Sequence, residues 1–146
     1  MTPADPQTLA QACADSMWAD DASSRALGIA IQTIAPGHAV LTMTVGETMV
    51  NGHGICHGGF LFILADSAFA FACNTYNERA VAQHCSITFA RPAQRGMHLT
   101  ATAQERLRTG RSGIYDVTVA TDDGTVIAEF RGNSRNLGQK FFEPPP

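Results

Sequence analysis

The sequence predicts an α+β domain in which one antiparallel sheet wraps around a single long central helix. The helix is indicated by residues 60–73, where only Asp66 and Ser67 are polar among fourteen positions, a run too long for an ordinary strand. The sheet is indicated by two strand-like stretches before this helix and four after it, some of them joined by short turns. One helix can cover only one face of a sheet, so the other face must meet water or a partner.

Length and composition exclude several classes of protein. The 146 residues, 45% hydrophobic and 16% charged, are enough for a single domain over residues 1–146, and neither a multidomain enzyme nor a disordered chain fits. No run approaches the ~20 apolar residues of a membrane span, and the chain does not begin with the basic and apolar regions of a secretion signal. The four cysteines form no CxxC pair and are expected to be reduced. We therefore expect a cytoplasmic protein that contacts no membrane.

The N-terminal elements are predicted to be a helix and a hairpin. Asp5 followed by Pro6 is the pattern of a helix cap and first turn, which predicts a helix over about residues 6–21. Residues 29–45 then alternate between apolar and polar or small side chains, with Pro36-Gly37 as a turn in the middle. This pattern is typical of a β-hairpin.

The elements around the central helix are a loop and four strands. Residues 48–59 include four glycines, two histidines and an asparagine, which predicts an irregular loop before the helix. The last two strands are joined by Asp122-Asp123-Gly124, a hairpin signal. The end of the chain, over about residues 139–146, is expected to be a flexible tail. The predicted strands cover residues 81–89, 97–103, 114–121 and 125–131.

The charges are distributed unevenly along the chain. Residues 1–90 have two basic and seven acidic side chains, whereas residues 91–146 have eight basic and six acidic ones. Nine of the ten basic residues are arginines, which suit bidentate binding of phosphate. The basic half is too weakly charged for a nucleic-acid surface but could serve a small phosphorylated ligand.

Asp66 is the unusual residue of the central helix. Its neighbours at the i±3 and i±4 positions are apolar, so no side chain on the same helix neutralises it. A lone buried carboxylate costs several kcal/mol unless it is solvated, paired or protonated, which makes Asp66 a candidate functional residue. The alternative is an inert, hydrogen-bonded aspartate on a thin polar edge of the helix or at a dimer seam. Both interpretations stay open on composition alone.

The start of the helix offers a second candidate feature. Gly58 and Gly59 leave backbone N–H groups free at a helix N-terminus, where they could polarise a carbonyl, although the two glycines could also simply allow a tight turn. Gly58 and Asp66 are eight residues apart, which is about 12 Å along a helix. A base must lie within hydrogen-bond reach of its water. If both groups serve one site, two antiparallel helices across a two-fold axis must supply them.

The loop before the helix has weaker candidates. His53, Cys56 and His57 could suggest a metal ion, but no fourth ligand is apparent and we expect no metal site. Cys56 beside His57 could act as a nucleophile, although no third orienting group is suggested. His57 is instead expected to hold the loop or to contact the substrate. Asn51 has an amide that could bind a carbonyl or orient water, but Asn before Gly is also an ordinary turn residue.

The stretch from Asn51 to Asp66, NGHGICHGGFLFILAD, resembles the signature of hotdog-fold acyl-CoA thioesterases. In detail, HGGFLFILADSAFAFACN resembles the PaaI type of this family, which acts in phenylacetate degradation. The likeness continues through ITFARPA, TATAQERLRTGRSGIYDV and FRGNS, and covers about residues 25–138. The spacing of Asn51, the HGG triplet and Asp66 is specific for this branch of the family.

The resemblance implies a hotdog fold, a homodimer with an extended sheet and shared active sites, and a homotetramer made from two dimers. It implies hydrolysis of an acyl-CoA such as (hydroxy)phenylacetyl-CoA without a cofactor. By motif position, Asp66 of the opposite subunit would be the general base or the nucleophile. The N–H of Gly58 would polarise the thioester carbonyl, with Gly59 beside it in the binding site. Asn51 and His57 would help to place the carbonyl and the water.

The resemblance also suggests residues that bind coenzyme A. Its phosphates need cations, and Arg91, Arg106, Arg108 and Arg111 of the basic half are nearest to family positions, although each could be a solvated surface arginine. Gln83 occupies a strand position near the family's acyl pocket, where related sequences often have a small hydroxyl residue. Water placement or acyl preference could therefore differ in this chain.

Two other functions are compatible with parts of the pattern. A hydratase or dehydratase of the same fold needs a histidine paired with an acid at the reacting carbon, whereas this motif has the thioesterase HGG form. A non-catalytic acyl-CoA sensor would share the glycine loop and the arginines, but Asp66 would be dispensable and a DNA-binding segment is usually added. Because Asp66 is present at the motif position, the sequence favours the thioesterase over the sensor.

Overall fold

The computed structural model describes residues 5–146. Within that range the chain forms three α-helices, six β-strands and one short 3-10 turn, which spans Glu47–Met49. The helices are α1 (Pro6–Ala19), α2 (Ala22–Ala26) and α3 (Gly58–Cys73); the strands are β1 (Ala30–Ala35), β2 (His38–Thr44), β3 (Ala80–Phe89), β4 (His98–Thr109), β5 (Ser112–Thr121) and β6 (Val126–Asn136).

The six strands form one sheet in the order β1-β2-β4-β5-β6-β3, and every neighbouring pair is antiparallel. Helix α3 contacts all six strands, which requires the sheet to curl around it. The predicted α+β class, with an antiparallel sheet wrapped around one central helix, is confirmed. The two edges of the sheet are β1 and β3.

The core lies between α3 and the inner face of the sheet. Leu64 and Phe69 of α3 are fully buried there, and the inward residues of β5, Tyr115 and Val117, pack on the same side. Along β5 the burial alternates between buried and half-buried residues, as expected for a strand with one covered face. Although α3 is strongly apolar, no helix within residues 5–146 is long and apolar enough to cross a membrane.

The N-terminal helix is shorter than the sequence predicts. The expected helix over residues 6–21 is observed as α1, which ends at Ala19, followed by the short α2. Asp5 caps α1, as predicted, because its side chain accepts a hydrogen bond from the N–H of Thr8 at 3.0 Å. Asp21 does not extend α1, because its carboxylate accepts from the N–H of Ser24 and begins the next helix instead.

The outer face of the sheet has a cluster of charges. Asp116 accepts hydrogen bonds from Arg106 Nε at 2.9 Å and Arg131 Nε at 2.6 Å, across three neighbouring strands. The Arg131 bond is the main cause that lowers the pKa of the Asp116 carboxyl below its usual range. This face is therefore polar and paired, unlike the apolar inner face.

The C-terminal segment runs back against the loop after α3. The side chain of Asn77 makes two hydrogen bonds of 2.9 Å with the main chain of Phe142, one with its N–H and one with its carbonyl. The Arg79 guanidinium lies 4.3 Å from the ring centroid of Phe141. Specific contacts thus extend to residue 142, and the flexibility expected over residues 139–146 stays a prediction.

Candidate active site

The N–H groups of the first residues of α3 differ in whether they have a hydrogen-bond acceptor. His57 is the N-cap residue, and its Nδ1 accepts a hydrogen bond from the N–H of Gly59 at 3.0 Å. The N–H of Phe60 donates to the carbonyl of His57 at 3.0 Å. The N–H of Gly58 donates to no acceptor within residues 5–146, so it is the open donor at this helix end. Because Nδ1 is the acceptor, the neutral His57 ring has its proton on Nε2.

The loop before α3 is held rigidly by main-chain hydrogen bonds. The N–H of His57 donates to Met49 O and the N–H of Cys56 donates to Ala93 O, both at 2.7 Å. The Asn51 side-chain oxygen accepts from the N–H of His53 at 2.9 Å and, more weakly, from that of Ile55. The oxygen of Asn51 is therefore committed to the loop, and its amide NH₂ is the group available to a ligand.

A cavity of about 470 Å³ opens at this helix end. Gly58 and Asn51 provide its polar groups, together with Arg91 at the rim. Burial of the Cys56 thiol raises its pKa, so this side chain lines the cavity and is a poor nucleophile. The apolar lining consists of Ile55, Cys56, Leu61, Phe89, Ala90 and Pro92.

Asp66 lies on the side of α3 that faces β3. Burial is the main cause that raises the pKa of the Cys73 and Cys85 thiols, and the nearby Asp66 carboxylate adds to the rise in both. The Asp66 carboxylate makes none of the side-chain hydrogen bonds found within residues 5–146, and burial raises its pKa above the ordinary aspartate range. No fully buried side-chain oxygen in that range lacks a partner, so the Asp66 oxygens reach the protein surface. A half-buried carboxylate without a cation beside it is well suited to accept a proton near neutral pH.

A single chain does not bring Asp66 to Gly58. The two residues lie on one straight helix, eight positions and about 12 Å apart. The structure therefore assembles His57, Gly58, Gly59 and Asn51 around one helix end and leaves Asp66 two turns away.

The predicted phosphate-binding residues are dispersed. Arg91 lies at the cavity beside Gly58, where its Nη1 donates to the carbonyl of Val126 at 2.9 Å. Arg108 stacks over the Tyr76 ring at 3.5 Å, and Arg111 lies against Gly138, so both are at the C-terminal end of α3. Gln83 is exposed on β3 where the register with β6 shifts.

The loop histidines do not gather into a metal site. His53 is exposed and His57 is occupied as the N-cap. Among residues 5–146, no three His, Cys, Asp or Glu side chains lie together as metal ligands would.

Comparisons with known proteins identify the family of this chain. The family model of the thioesterase superfamily matches residues 53–128, the stretch that contains the open helix end, Asp66 and most of the sheet. The chain is 48% identical over 125 residues to the acyl-coenzyme A thioesterase PaaI of Escherichia coli K12, covering 86% of this chain and 89% of that protein.

This chain belongs to the thioesterase superfamily.

Solved structures of this superfamily agree with the fold. The structure of E. coli PaaI, from the phenylacetic acid degradation operon, matches with a TM-score of 0.91 and 45% identity over 93% of this chain and 99% of that one. A mutant of the phenylacetic acid degradation protein PaaI from Thermus thermophilus matches with a TM-score of 0.77 and 39% identity, covering 80% of this chain and all of that one (100%). The resemblance to hotdog thioesterases expected from the motif is therefore confirmed.

The apolar walls of this cavity could not be predicted from the sequence. Phe89 ends a strand whose alternation marks it only as a β residue, and Leu61 lies in a helix that is apolar on nearly every side. No pattern along the chain separates these two from core residues. Only the fold, by bringing the end of β3 over the start of α3, assigns them to the cavity.

Proposed function

We propose that this protein hydrolyses acyl-CoA thioesters to the free acid and coenzyme A. The observation that carries the proposal is the N–H of Gly58, which has no acceptor within residues 5–146 and belongs to a residue that lines a mostly apolar cavity at the start of α3. An N–H fixed at a helix N-terminus stabilises the negative charge that develops on a carbonyl oxygen during acyl transfer. The relation to an E. coli acyl-coenzyme A thioesterase supports the same chemistry.

In the proposed reaction, the Gly58 N–H and the Asn51 amide bind the thioester oxygen. Asp66 then removes a proton from a water molecule, the water oxygen bonds to the carbonyl carbon, and the carbon–sulfur bond breaks as the thiolate accepts a proton. The alternative route has Asp66 attack the carbonyl carbon directly, giving a mixed anhydride that water opens. The ring of His57 fixes the helix end, and its Nε2–H is a further donor for water or carbonyl.

The proposed site is shared between two copies of the chain. Strand β3 is a ten-residue sheet edge that pairs only with β6 within residues 5–146, and it exposes Val81 to 47%. Antiparallel pairing of two β3 strands would extend the sheet across a two-fold axis and set the two α3 helices side by side in opposite directions. The Asp66 of the partner subunit would then meet Gly58, which a single helix does not allow.

A homotetramer is proposed from the outer face of the sheet. The charged cluster around Asp116, with Arg106 and Arg131, is self-complementary, because it presents both signs of charge on one patch. Two dimers packed through this face would pair acidic with basic groups across a second two-fold axis.

The coenzyme A moiety is proposed to run past Arg91, whose guanidinium lies at the cavity rim. Arg108 and Arg111 are too far from Gly58 in their own chain, but the antiparallel arrangement brings the partner's end of α3 towards this cavity. We therefore assign Arg108 and Arg111 to phosphate binding across the dimer, and Gln83 to the acyl side near the paired strands.

The acyl group is proposed to be an aryl-acetyl group such as (hydroxy)phenylacetyl. The support is the identity of 48% with the E. coli enzyme and the description of that relative's structure as a protein of the phenylacetic acid degradation operon. Such intracellular thioesters favour a cytoplasmic enzyme, and hydrolysis would release coenzyme A for reuse.

The proposal is tested by thiol release from phenylacetyl-CoA, hydroxyphenylacetyl-CoA and octanoyl-CoA, with wild type and Asp66→Asn. We expect kcat to fall between about 100- and 10,000-fold in the variant, because an amide neither accepts the proton nor attacks the carbonyl. The wild-type kcat should rise with pH up to the raised pKa of Asp66, since only the ionised carboxylate acts. The matched control is Asp15→Asn on the exposed face of α1, which should leave the rate unchanged.

Two outcomes would overturn this function. Tight acyl-CoA binding without hydrolysis in wild type would favour the sensor, and addition or loss of water at the acyl carbons would favour the hydratase. Light scattering on both proteins checks that the Asp66→Asn variant keeps its assembly, so that a lost rate reports on chemistry.

A further inference from the structure

Phe89 lies directly against the open helix end. It is the last residue of β3, and the residue is 50% exposed. A Cβ atom on Gly58 would lie 2.8 Å from Phe89 Cζ, so the tip of the ring touches the backbone that holds the open N–H. Of the four large apolar side chains that residues 5–146 expose, this one also lines the cavity at Gly58.

The ring is held in this place from two sides. The main chain of Phe89 pairs with Ala128 of β6, and the following N–H, that of Ala90, donates to Ile127 O at 2.8 Å. Gly58 blocks the ring on the helix side, because its Cα lies in contact with the ring tip. The strand pairing therefore fixes the backbone of Phe89, and Gly58 limits the ring on the helix side.

Any carbonyl bound at Gly58 has this ring as a neighbour. A carbonyl oxygen that accepts from the Gly58 N–H lies about 3 Å from the nitrogen, so the carbon atoms attached to it come within reach of Phe89. The other walls, Ile55, Leu61 and Pro92, are aliphatic, which makes Phe89 the aromatic surface of this cavity. Aromatic rings favour edge-to-face or offset contact with other aromatic rings beyond what burial alone provides.

We propose that Phe89 is a specificity-determining residue that contacts the acyl group and favours an aryl over a straight alkyl chain. The inference rests on the proposed function, because it concerns the acyl group of the thioester bound at Gly58. The contact follows from the position of Phe89 beside Gly58 in the cavity lining, and not from its exposure in the single chain.

The test is the ratio of kcat/KM for phenylacetyl-CoA to that for octanoyl-CoA, measured in wild type, Phe89→Leu and Phe89→Tyr. Phe89→Leu should lower this ratio about two- to tenfold, the range expected for one lost aromatic contact. Phe89→Tyr keeps the ring but adds a hydroxyl at Cζ, against Gly58, so it should lower the rate with both substrates and hold their ratio within about twofold. The matched control is Phe141→Leu, because Phe141 packs on Arg79 in the C-terminal segment and does not line the cavity.

Equal losses with both substrates in Phe89→Leu would overturn the inference, because the ring would then contact the part that all acyl-CoA molecules share. An unchanged ratio would overturn it as well. If wild type binds but hydrolyses neither thioester, the proposed function fails, and the ratio of the two dissociation constants tests the contact in the same variants. If Phe89→Leu does not fold, Phe89→Met replaces it, because methionine is close to phenylalanine in volume and has no ring, and the same ratio should again fall about two- to tenfold.

Discussion

The two edges of the sheet are built differently. Strand β1 is six residues long, and α1 packs beside it, with Gln7 Nε2 donating to the carbonyl of Ile34 at 2.7 Å. Strand β3 is ten residues long, and within residues 5–146 no strand pairs with its outer side. Val81 and Phe89 of β3 are about half exposed, whereas Ile34 of β1 is buried.

This difference supports the proposed dimer. A long edge strand with exposed apolar side chains is a template for another strand, and proteins usually block such edges. Here one edge is blocked by a helix and the other is left open. A chain with a single open edge can pair once through a two-fold axis and then stops, whereas two open edges would allow an open-ended polymer. The open edge is also the one that faces Asp66 and ends at Gly58.

Adding charges to the open edge should change assembly and activity most strongly. In antiparallel pairing centred on β3, position 81 of one protomer lies opposite position 88 of the other. The double variant Val81→Lys, Thr88→Lys therefore sets like charges opposite one another twice, which opposes pairing. We expect a monomer by light scattering and a rate of thioester hydrolysis that is lower by at least about 100-fold, because Asp66 no longer reaches the partner's Gly58.

The matched control charges the blocked edge. Ala30→Lys, Thr33→Lys adds the same two charges at exposed positions of β1. We expect this variant to keep the assembly and the rate of wild type. If both double variants dissociate to the same degree, or neither does, the two edges do not differ in the way described.

Two glycine substitutions at the start of α3 test the contact between this helix and Phe89, the last residue of the open edge strand. Gly58→Ala places a methyl group 2.8 Å from Phe89 Cζ and must displace the ring or the helix end, so we expect kcat to fall between about 10- and 1,000-fold. Gly59→Ala meets only His57 Nδ1 at 3.2 Å, and its N–H is already used by that ring, so the loss should be smaller. Steady-state kinetics on both variants make the comparison. Equal rates in the two variants would show that catalysis does not depend on the position of the Gly58 N–H.

The smallest effect is expected at the blocked edge. Gln7→Ala removes one side-chain hydrogen bond to Ile34 O, which should lower the free energy of unfolding by about 1 kcal/mol. Urea denaturation measures this change, and thiol release should match wild type because α1 lies away from the cavity. A lost rate in Gln7→Ala would mean that the covered edge also acts on the site.

Much of the fold could be predicted from the sequence because its signals are local. The apolar run of α3, the Asp5 cap of α1 and the hairpin turns each depend on neighbours within a few positions, and each is found near its predicted place. The end of α1 was missed because Asp21 can either continue one helix or cap the next, and the competition is decided by the Ser24 N–H. The candidate site was predicted in part, since its motif lies on one loop and one helix.

The residue types of the site and their spacing along α3 can be read from the chain directly, including the distance of about 12 Å between Gly58 and Asp66, since each residue of helix adds about 1.5 Å. Which N–H stays open, which sheet edge is blocked and which ring touches Gly58 are properties of the folded protein. These properties depend on contacts between residues far apart in the chain, such as Phe89 with Gly58 or Gln7 with Ile34. Local patterns do not encode such contacts, because they form only when the sheet has closed around the helix.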